Sequence, residues 1–349
     1  DRLRFVRFEH CIRHRFQCSS IFCRRHAFGA AGGAFVAGIY LVLKYKRVKK
    51  EAGIKKVKTN TDLLNKILKI AIPISVGATV GTIMNLIDSI LVPQKLLESG
   101  VENPTVLYGQ LTGKAAVLVN IPLTLSMAIC TSLIPIIAEN YVLNKKEEMQ
   151  NKINIALKLS AVIALPATLG IFCLAGPIMK LIFFDKYEGI EILRYLSISI
   201  PFIIVTQTTT SVLQATNYYI RPVVNLIIGC ILKVILTAIL VPIPKINIFG
   251  AVISSVASYM LVTILNLISL KSKTKCNISV YDSFVKPGYA SVIMSVVVLF
   301  VYEFMMKKIA NNSISCLLSV FMGIIIYIIS ILLFKVFDVN DVKNRLVRK

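Results

Sequence analysis

Residues 222–244 read PVVNLIIGCILKVILTAILVPIP, and this stretch decides the class of the fold. Its side chains are almost all apolar, and Lys233 is the one charged residue in it. A helix that crosses the hydrocarbon layer of a membrane, roughly 30 Å thick, needs about 20 such residues, because lipid offers the backbone no hydrogen-bond partners. The stretch is therefore predicted to be a membrane-spanning helix.

Segments of the same kind recur along the chain from residue 27 onward. The chain is 56% hydrophobic and 16% charged, with a mean hydropathy of +0.74, whereas about a quarter of the residues of soluble domains are charged. The predicted fold class is an all-α integral membrane protein built as a multi-span helical bundle. Nine spans are expected, at about 27–45, 70–92, 114–138, 157–184, 190–216, 222–244, 248–270, 287–306 and 313–337.

Lys and Arg are distributed unequally between alternate loops. One set of loops and ends holds 23 of them and the intervening loops hold six. Positive charge is retained on the cytoplasmic side of a membrane, so the first set is predicted to be cytoplasmic, including the basic tail at 338–349. The net charge of +23 then reflects topology and attraction to anionic lipid headgroups, and no nucleic-acid partner is expected.

The first 26 residues, DRLRFVRFEHCIRHRFQCSSIFCRRH, differ in composition from the rest of the chain. They hold seven of the twelve Arg, all three His and no Lys. They lack the apolar core of a signal peptide, and their acids do not fit a transit peptide, so we interpret residues 1–26 as an atypical, mistranslated segment. Their Cys and His would suit a zinc knuckle, but the spacing is irregular and lacks CxxC, so no metal site is predicted.

Residues 46–69 are predicted to be a basic cytoplasmic linker that follows the span at 27–45 and precedes eight further spans over 70–337. Leu64, Ile67 and Leu68 fall on one helical face, which is the pattern of a helix lying on the membrane surface. Two roles stay open for this segment. It either slides along the inner headgroups between two lobes or serves as a basic anchor.

Two ionisable side chains lie inside predicted spans, where each costs about 2.5–3.5 kcal/mol to insert. Asp88 follows Asn85 by three residues and shares its helix face, and Lys233 shares a face with Asn225. We predict that Asp88 and Lys233 pair across a water-filled cavity that Asn85 and Asn225 also line. The alternative is that each charged side chain snorkels or hydrogen-bonds locally.

Polar residues also recur at spacings of three and four within two other spans, so that they share one helix face. Such a face either hydrogen-bonds to neighbouring helices or lines an aqueous path, and both interpretations stay open. Six prolines within spans indicate bent helices, as transporters often have. The first polar stripe comprises Gln207, Thr210, Ser211, Gln214 and Asn217, and the second comprises Asn120 and Thr124.

The inventory of reactive side chains is poor. Residues 27–349 contain no His, and the one long outer loop, predicted at 93–113, has two Glu and no Asp. A Cys–His or Ser–His–Asp set therefore cannot be assembled from these residues, and general acid–base chemistry has few candidates in this loop. We therefore expect no enzymatic activity and no cofactor.

Three stretches carry a resemblance to a known family: MNLIDSILVPQKLLESG at 84–100, LYGQLTGKAAVLVNIPLTLSMAICTSLIPIIAE at 107–139 and SVLQATNYYIRPVVNLIIGCILKVILTAIL at 211–240. They resemble the stage V sporulation protein B family of polysaccharide-export proteins. That family belongs with the lipid II flippases and MATE drug exporters in one superfamily. The resemblance covers about residues 27–340.

The resemblance implies two lobes of transmembrane helices around a central cavity, fourteen helices in all, with a basic linker between the lobes. On that template the chain would hold the last helix of the first lobe, the linker and an eight-helix second lobe. The first five helices would be absent, so the chain would be N-terminally truncated or frameshifted. The matching stretch 115–122 has Asn120 as its one polar residue, so a cation for a lipid phosphate would come from Lys114, Lys233, Arg221 or the missing lobe.

The expected function is flippase-like translocation of a lipid-linked oligosaccharide or peptidoglycan precursor across the cell membrane, for cell-wall or spore-cortex synthesis. Its partners would be that lipid-linked saccharide and membrane lipids. One alternative is a MATE-like exporter of organic cations, which would use a buried acid such as Asp88. The other is a fragment that transports nothing.

Overall fold

The computed structural model describes residues 32–33, 35–48, 61–184, 186–274, 279 and 281–336. The segment at 1–26, most of the basic linker and the tail at 338–349 lie outside these ranges. Within them, eight helices are long and apolar enough to cross a membrane, and no strand occurs. The predicted class, an all-α bundle of membrane-spanning helices, is confirmed.

The α-helices are numbered in chain order. Two short π-helical segments, Gln110–Ala115 and Tyr281–Val285, lead into α4 and α10, and a 3₁₀ turn at Ser197–Ser199 joins α6 to α7. The helices are α1 at 35–48, α2 at Thr61–Glu98, α3 at Pro104–Gly109, α4 at Ala116–Val142, α5 at Lys146–Phe183, α6 at Ile190–Leu196, α7 at Ile200–Ala215, α8 at Ile220–Leu240, α9 at Phe249–Thr274, α10 at Lys286–Ile309 and α11 at Asn312–Leu333.

The chain divides into two compact units, residues 1–65 and 66–349. In the first unit, the described residues of the span predicted at 27–45 are helical, at 32–33 and 35–45, and helix α1 continues to residue 48. The second unit holds the helical bundle, from most of α2 to α11.

Helix α2 differs from the sequence-based prediction at both of its ends. The expected surface helix and the span after it form one helix of 38 residues, about 57 Å long at 1.5 Å per residue. The helix also continues past Pro93 to Glu98, and α3 begins at Pro104, so the prediction of a loop over 93–113 is wrong. Buried Val92 and Leu96 hold this last part of α2 against the bundle core.

Helix α5 is the centre of the bundle. No residue of it between 152 and 179 is exposed, because α4, α7, α10 and α11 pack around it. Its backbone departs from helical geometry at Leu174, three residues before Pro177. Proline lacks an N–H and its ring crowds the preceding turn, which explains the kink at this point.

Helices α8 and α9 form a close pair beside α7. A Cβ added at Gly229 of α8 would meet the side chains of Val262 and Ser258 on α9. The Ser258 hydroxyl donates to the Gly229 carbonyl at 2.6 Å. The absence of a side chain at Gly229 therefore sets the distance between the two helices. Helices α10 and α11 pair in the same way where Gly323 meets Val298.

The bundle has two ends, which we call inner and outer from the predicted side of the membrane. At the inner end a hydrophobic cluster joins α4, α5, α7 and α9 around Ile153 and Leu213. At the outer end another cluster joins α2, α4, α5, α6 and α9 around Leu96 and Leu193. These two clusters connect the helices of the bundle at its two ends.

Candidate functional site

A single ion pair connects α2 to α8 within the span region. The ammonium of Lys233 donates a hydrogen bond to Oδ2 of Asp88. The Lys233 side chain is 7% exposed and that of Asp88 is 21% exposed. Each group thus offsets part of the cost of the other's charge in a medium of low polarity. The two residues that were predicted to pair are in contact.

The exposed faces of α8 and α11 are those of helices in lipid. On α8, every exposed side chain from Val224 to the end of the helix is aliphatic, and these residues recur with the helical period. On α11 the exposed side chains from Leu317 onward are all apolar as well. Such uniform faces match a hydrocarbon environment, which accepts no unpaired polar group. The exposed residues of α8 are Val224, Ile227, Ile228, Ile231, Ile235 and Ile239.

Helices α2 and α4 are different, because exposed polar side chains run along each of them. We call these residues the polar wall: Ser75, Thr79, Thr82, Asn85 and Ser89 on α2, and Asn120, Thr124 and Thr131 on α4. Spacings of three and four residues on α2, and of four and seven residues on α4, put each set on one side of its helix. Apolar residues also lie exposed on both helices, so the wall is a stripe rather than a whole surface.

The hydroxyl and amide groups of the polar wall differ in how they are satisfied. Thr82 and Thr124, for example, donate to carbonyls of their own helices at 2.8 Å. No described residue hydrogen-bonds to the side-chain amides of Asn85 and Asn120. An amide in hydrocarbon without a partner costs several kcal/mol. These two residues therefore require water, a polar ligand or further protein beside them.

The stripe predicted on α7 is divided between two roles. The Thr210 hydroxyl accepts a hydrogen bond from Asn266 of α9 at 3.1 Å, so this residue connects helices. Gln207 and Gln214 are half-buried, and Oε1 of Gln207 is enclosed without a hydrogen-bond partner in the described part of the chain. Asn217 is exposed at the inner end of the helix and accepts from the Tyr219 hydroxyl.

Asn225 belongs to a buried network and not to an exposed face. Its amide donates to Oδ1 of Asn266 at 2.8 Å and to the Ser269 hydroxyl at 3.2 Å. Asn266 also reaches α7 through Thr210. The network therefore joins α7, α8 and α9. Sequence periodicity identified the polar residue on α8 but contains no information about its partner on α9.

Lys114 makes several contacts with neighbouring residues at the outer end of the bundle. Its ammonium donates to the Lys186 carbonyl at 2.5 Å, lies 3.7 Å from a Glu188 carboxylate oxygen, and lies 5.6 Å from the centre of the Phe183 ring. These contacts hold the connection between α5 and α6. Of the cations proposed from sequence for a lipid phosphate, this one has a structural role.

The described residues hold no group of three or more His, Cys, Asp or Glu that could bind a metal ion. Their cysteines, Cys130, Cys173, Cys230 and Cys316, are free. The Cys and His residues considered for zinc between residues 10 and 26 lie outside the described ranges. Within the described residues, the candidate site consists of the Asp88–Lys233 ion pair and the polar wall of hydroxyls and amides.

Comparison with known proteins finds a match to one family model and to several relatives. The family model described as MurJ, lipid II flippase MurJ, matches residues 13–319. This match begins at residue 13, within the segment at 1–26 that we interpreted as mistranslated. The uncharacterized membrane protein YabM of Bacillus subtilis is 28% identical over 253 residues, which cover 71% of this chain and 47% of that protein. Stage V sporulation protein B of the same organism is 22% identical over 282 residues, covering 76% and 54%.

Solved structures show the same fold. A lipid II flippase MurJ in an inward closed conformation matches with a TM-score of 0.56 and 18% identity, over 80% of this chain and 56% of that one. A MATE transporter crystallised with the ligand MaL6 matches with a TM-score of 0.52 and 18% identity, over 76% and 61%. At such identities the likeness is one of fold alone. The chain spans about half the length of the curated relatives it matches.

Proposed function

Because the chain belongs to the lipid II flippase MurJ family, we propose that it acts in moving a lipid-linked saccharide precursor across the cell membrane. The observation that supports this proposal is the polar wall. A saccharide headgroup carries many hydroxyls and amides, and these can hydrogen-bond to the unpaired amides of Asn85 and Asn120. The lipid tail would stay in the bilayer, so the protein needs a polar path for the headgroup alone.

In this proposal the bundle from α2 to α11 is the second lobe of a flippase, and the polar wall faces the substrate path. The uniformly apolar exposed faces of α8 and α11 face the bilayer. The basic loops and the C-terminus lie in the cytoplasm, as the distribution of Lys and Arg predicts. No step of such transport breaks a covalent bond, so the proposed function requires no acid–base or nucleophilic machinery.

A vesicle assay tests this function. The full chain is reconstituted with a fluorescent lipid-linked saccharide, and a membrane-impermeant quencher reports how fast the label crosses the bilayer. The unaltered chain should exceed protein-free vesicles, and N85L/N120L should return the rate toward that background. The matched control is I228L/I231L on the exposed apolar face of α8, with which the label should cross the bilayer at the same rate as with the unaltered chain. Equal rates with and without the unaltered chain would contradict the proposal.

A second candidate is a MATE-like exporter of organic cations, because MATE structures share the fold and Asp88 is a partly enclosed acid. One observation counts against it: the Asp88 carboxylate already holds the Lys233 ammonium. A substrate cation would have to displace a tethered cation from the carboxylate. Cells expressing D88N separate the two functions, since loss of dye export with normal cell-wall precursor levels would favour the exporter.

A further inference from the structure

Three cationic side chains from three helices meet at one cavity at the inner end of the bundle. Lys69 of α2, Arg221 of α8 and Lys273 of α9 line a space of about 420 Å³. Its other lining residues include Tyr218 and Tyr219 and no carboxylate. None of the three cations forms an ion pair with any described residue. Like charges gathered in this way repel one another unless an anion lies between them.

The start of α8 adds to the positive potential of this cavity. Ile220 and Arg221, the first residues of the helix, line it. No side chain caps this end of α8, so the N–H groups of Ile220 and Arg221 remain available to an acceptor, whereas Pro222 has none. The N-terminus of a helix also carries the positive end of its dipole, which favours phosphate-like anions. The backbone therefore adds donors to those of the three side chains.

The backbone before α8 closes helix α7 beside the cavity. The N–H of Asn217 donates to the Gln214 carbonyl at 3.1 Å and that of Tyr218 to the Leu213 carbonyl at 2.8 Å. With φ of 67° at Asn217, these bonds form a Schellman motif that closes α7. The ring of Tyr218 then lies 5.9 Å from the Lys273 ammonium, as a cation–π contact. This contact places the Lys273 ammonium beside the cavity.

An apolar track begins directly beside the cations. Val224 lines the cavity, and the aliphatic face of α8 continues from it toward the outer end through Ile228 and Ile231. Tyrosines lie at the same level, as is common where a membrane protein meets the headgroup region. A molecule with a phosphate and an acyl or polyprenyl chain matches both parts at once. Free phosphate matches the cations alone.

From this arrangement we propose that Lys69, Arg221 and Lys273, together with the first turn of α8, bind the phosphate of a lipid headgroup at the inner surface of the membrane. The phosphate would belong either to a resident anionic phospholipid or to a polyprenyl-linked substrate, and the chemistry of recognition is the same for both. Arg221 supplies a planar fork that suits two phosphate oxygens, and the lysines supply point charges. The site does not depend on flipping, so its test is independent of the transport assay.

Lipid binding to the purified full chain in detergent tests this proposal by native mass spectrometry. The probes are phosphatidylglycerol, a short polyprenyl diphosphate and phosphatidylcholine, with inorganic phosphate as competitor. The site variant is K69Q/R221Q/K273Q. The matched control, K66Q/K145Q/K271Q, removes the same charge from the same end of the bundle without changing a residue that lines the cavity.

We expect the site variant to bind at least one of the two anionic lipids ten-fold more weakly or worse, and the control variant to change less than three-fold. The anionic lipid that loses more affinity identifies the source of the phosphate. Equal losses of lipid affinity in the two variants would show that only the overall charge matters and would overturn the site. Unchanged lipid binding in the site variant would overturn it too. Inorganic phosphate at millimolar concentration is added as a competitor of the bound lipid. If it displaces the bound lipid as effectively as a second anionic lipid does, the proposal of a lipid site is also overturned. If the triple variant unfolds, R221Q alone is compared with K271Q on the same criteria.

Discussion

Lys233 on α8 donates a hydrogen bond to Asp88 on α2, and this pair joins two helices whose contact is otherwise limited to a few close points such as Gly77 against Val223. Helix α2 is the most exposed of the spans, with most of its surface outside the bundle core. The pair therefore fixes the position of α2 at the level of Asn85, where the polar wall is. Its removal should change both stability and the geometry of that wall.

Replacing Lys233 by Met should destabilise the protein by about 2 kcal/mol, somewhat below the roughly 3–5 kcal/mol lost when one partner of a fully buried pair is removed. The loss is smaller because the Asp88 side chain remains 21% exposed. Thermal unfolding in detergent measures the change. The double variant D88N/K233M should recover most of the loss, because no charge is then left without a partner. A double variant less stable than K233M would contradict a direct coupling.

Enlarging Gly229 should separate α8 from α9. A Cβ at this position meets Val262 and Ser258, so G229A should cost about 1–3 kcal/mol through overpacking. The control is G81A on α2, where nothing lies within 4 Å of the added atom. Melting temperatures of the two variants give the comparison. Similar melting temperatures would show that the close approach at Gly229 does not limit packing.

The buried network around Asn266 should contribute measurable stability. N266A leaves the amide of Asn225 and the hydroxyl of Thr210 without this partner, and an unsatisfied buried group costs about 1–3 kcal/mol. T131A is the control, since the Thr131 hydroxyl is exposed and donates to a carbonyl of its own helix. Chemical unfolding should show a loss for N266A and little change for T131A. An equal effect of both would argue against the network.

The polar wall should be accessible from water, and the face of α8 should not be. Cysteines placed at Asn85 and Asn120 should react with a membrane-impermeant maleimide in intact vesicles. Cysteines at Ile231 and Ile235 should not react, because the thiolate that attacks maleimide does not form in hydrocarbon. Labelling of the unaltered protein gives the background from its native cysteines. Equal labelling at all four positions would remove the distinction between the two faces.

Several features of the fold were predictable from local sequence. The lengths of apolar runs located every span of the bundle. Of the six prolines predicted to bend spans, two lie at a departure from α-helical geometry: Pro177 follows the kink at Leu174, and Pro201 follows the 3₁₀ turn before α7. The helices continue through the other four, Pro73, Pro122, Pro135 and Pro166. The loop predicted over 93–113 failed because hydropathy falls where α2 leaves the apolar layer, although the helix itself continues. A hydropathy boundary marks the environment of a helix and not its last hydrogen bond.

The site was predictable in part. Asp88 and Lys233 were identifiable as partners because each is too costly in a membrane to be left alone. Asn120 and Asn85 were identified as polar residues within spans, as was Asn225. Their different positions, exposed for the first two and buried in a network for Asn225, could not be read from spacing. The cavity of Lys69, Arg221 and Lys273 joins residues about 200 positions apart along the sequence, so no local pattern could have indicated it.

The sequence by itself determined that the chain is a set of apolar helices in a membrane, and which faces of those helices carry polar groups. Those properties follow from the cost of exposing backbone and charge to lipid, and that cost is paid residue by residue. Only the tertiary structure decided which polar groups meet: Lys233 with Asp88, Asn225 with Asn266, and three separate cations around one cavity. Pairing depends on how side chains on different helices pack together. The distance between two helices, which residues such as Gly229 set, is a property of both helices and not of either one alone.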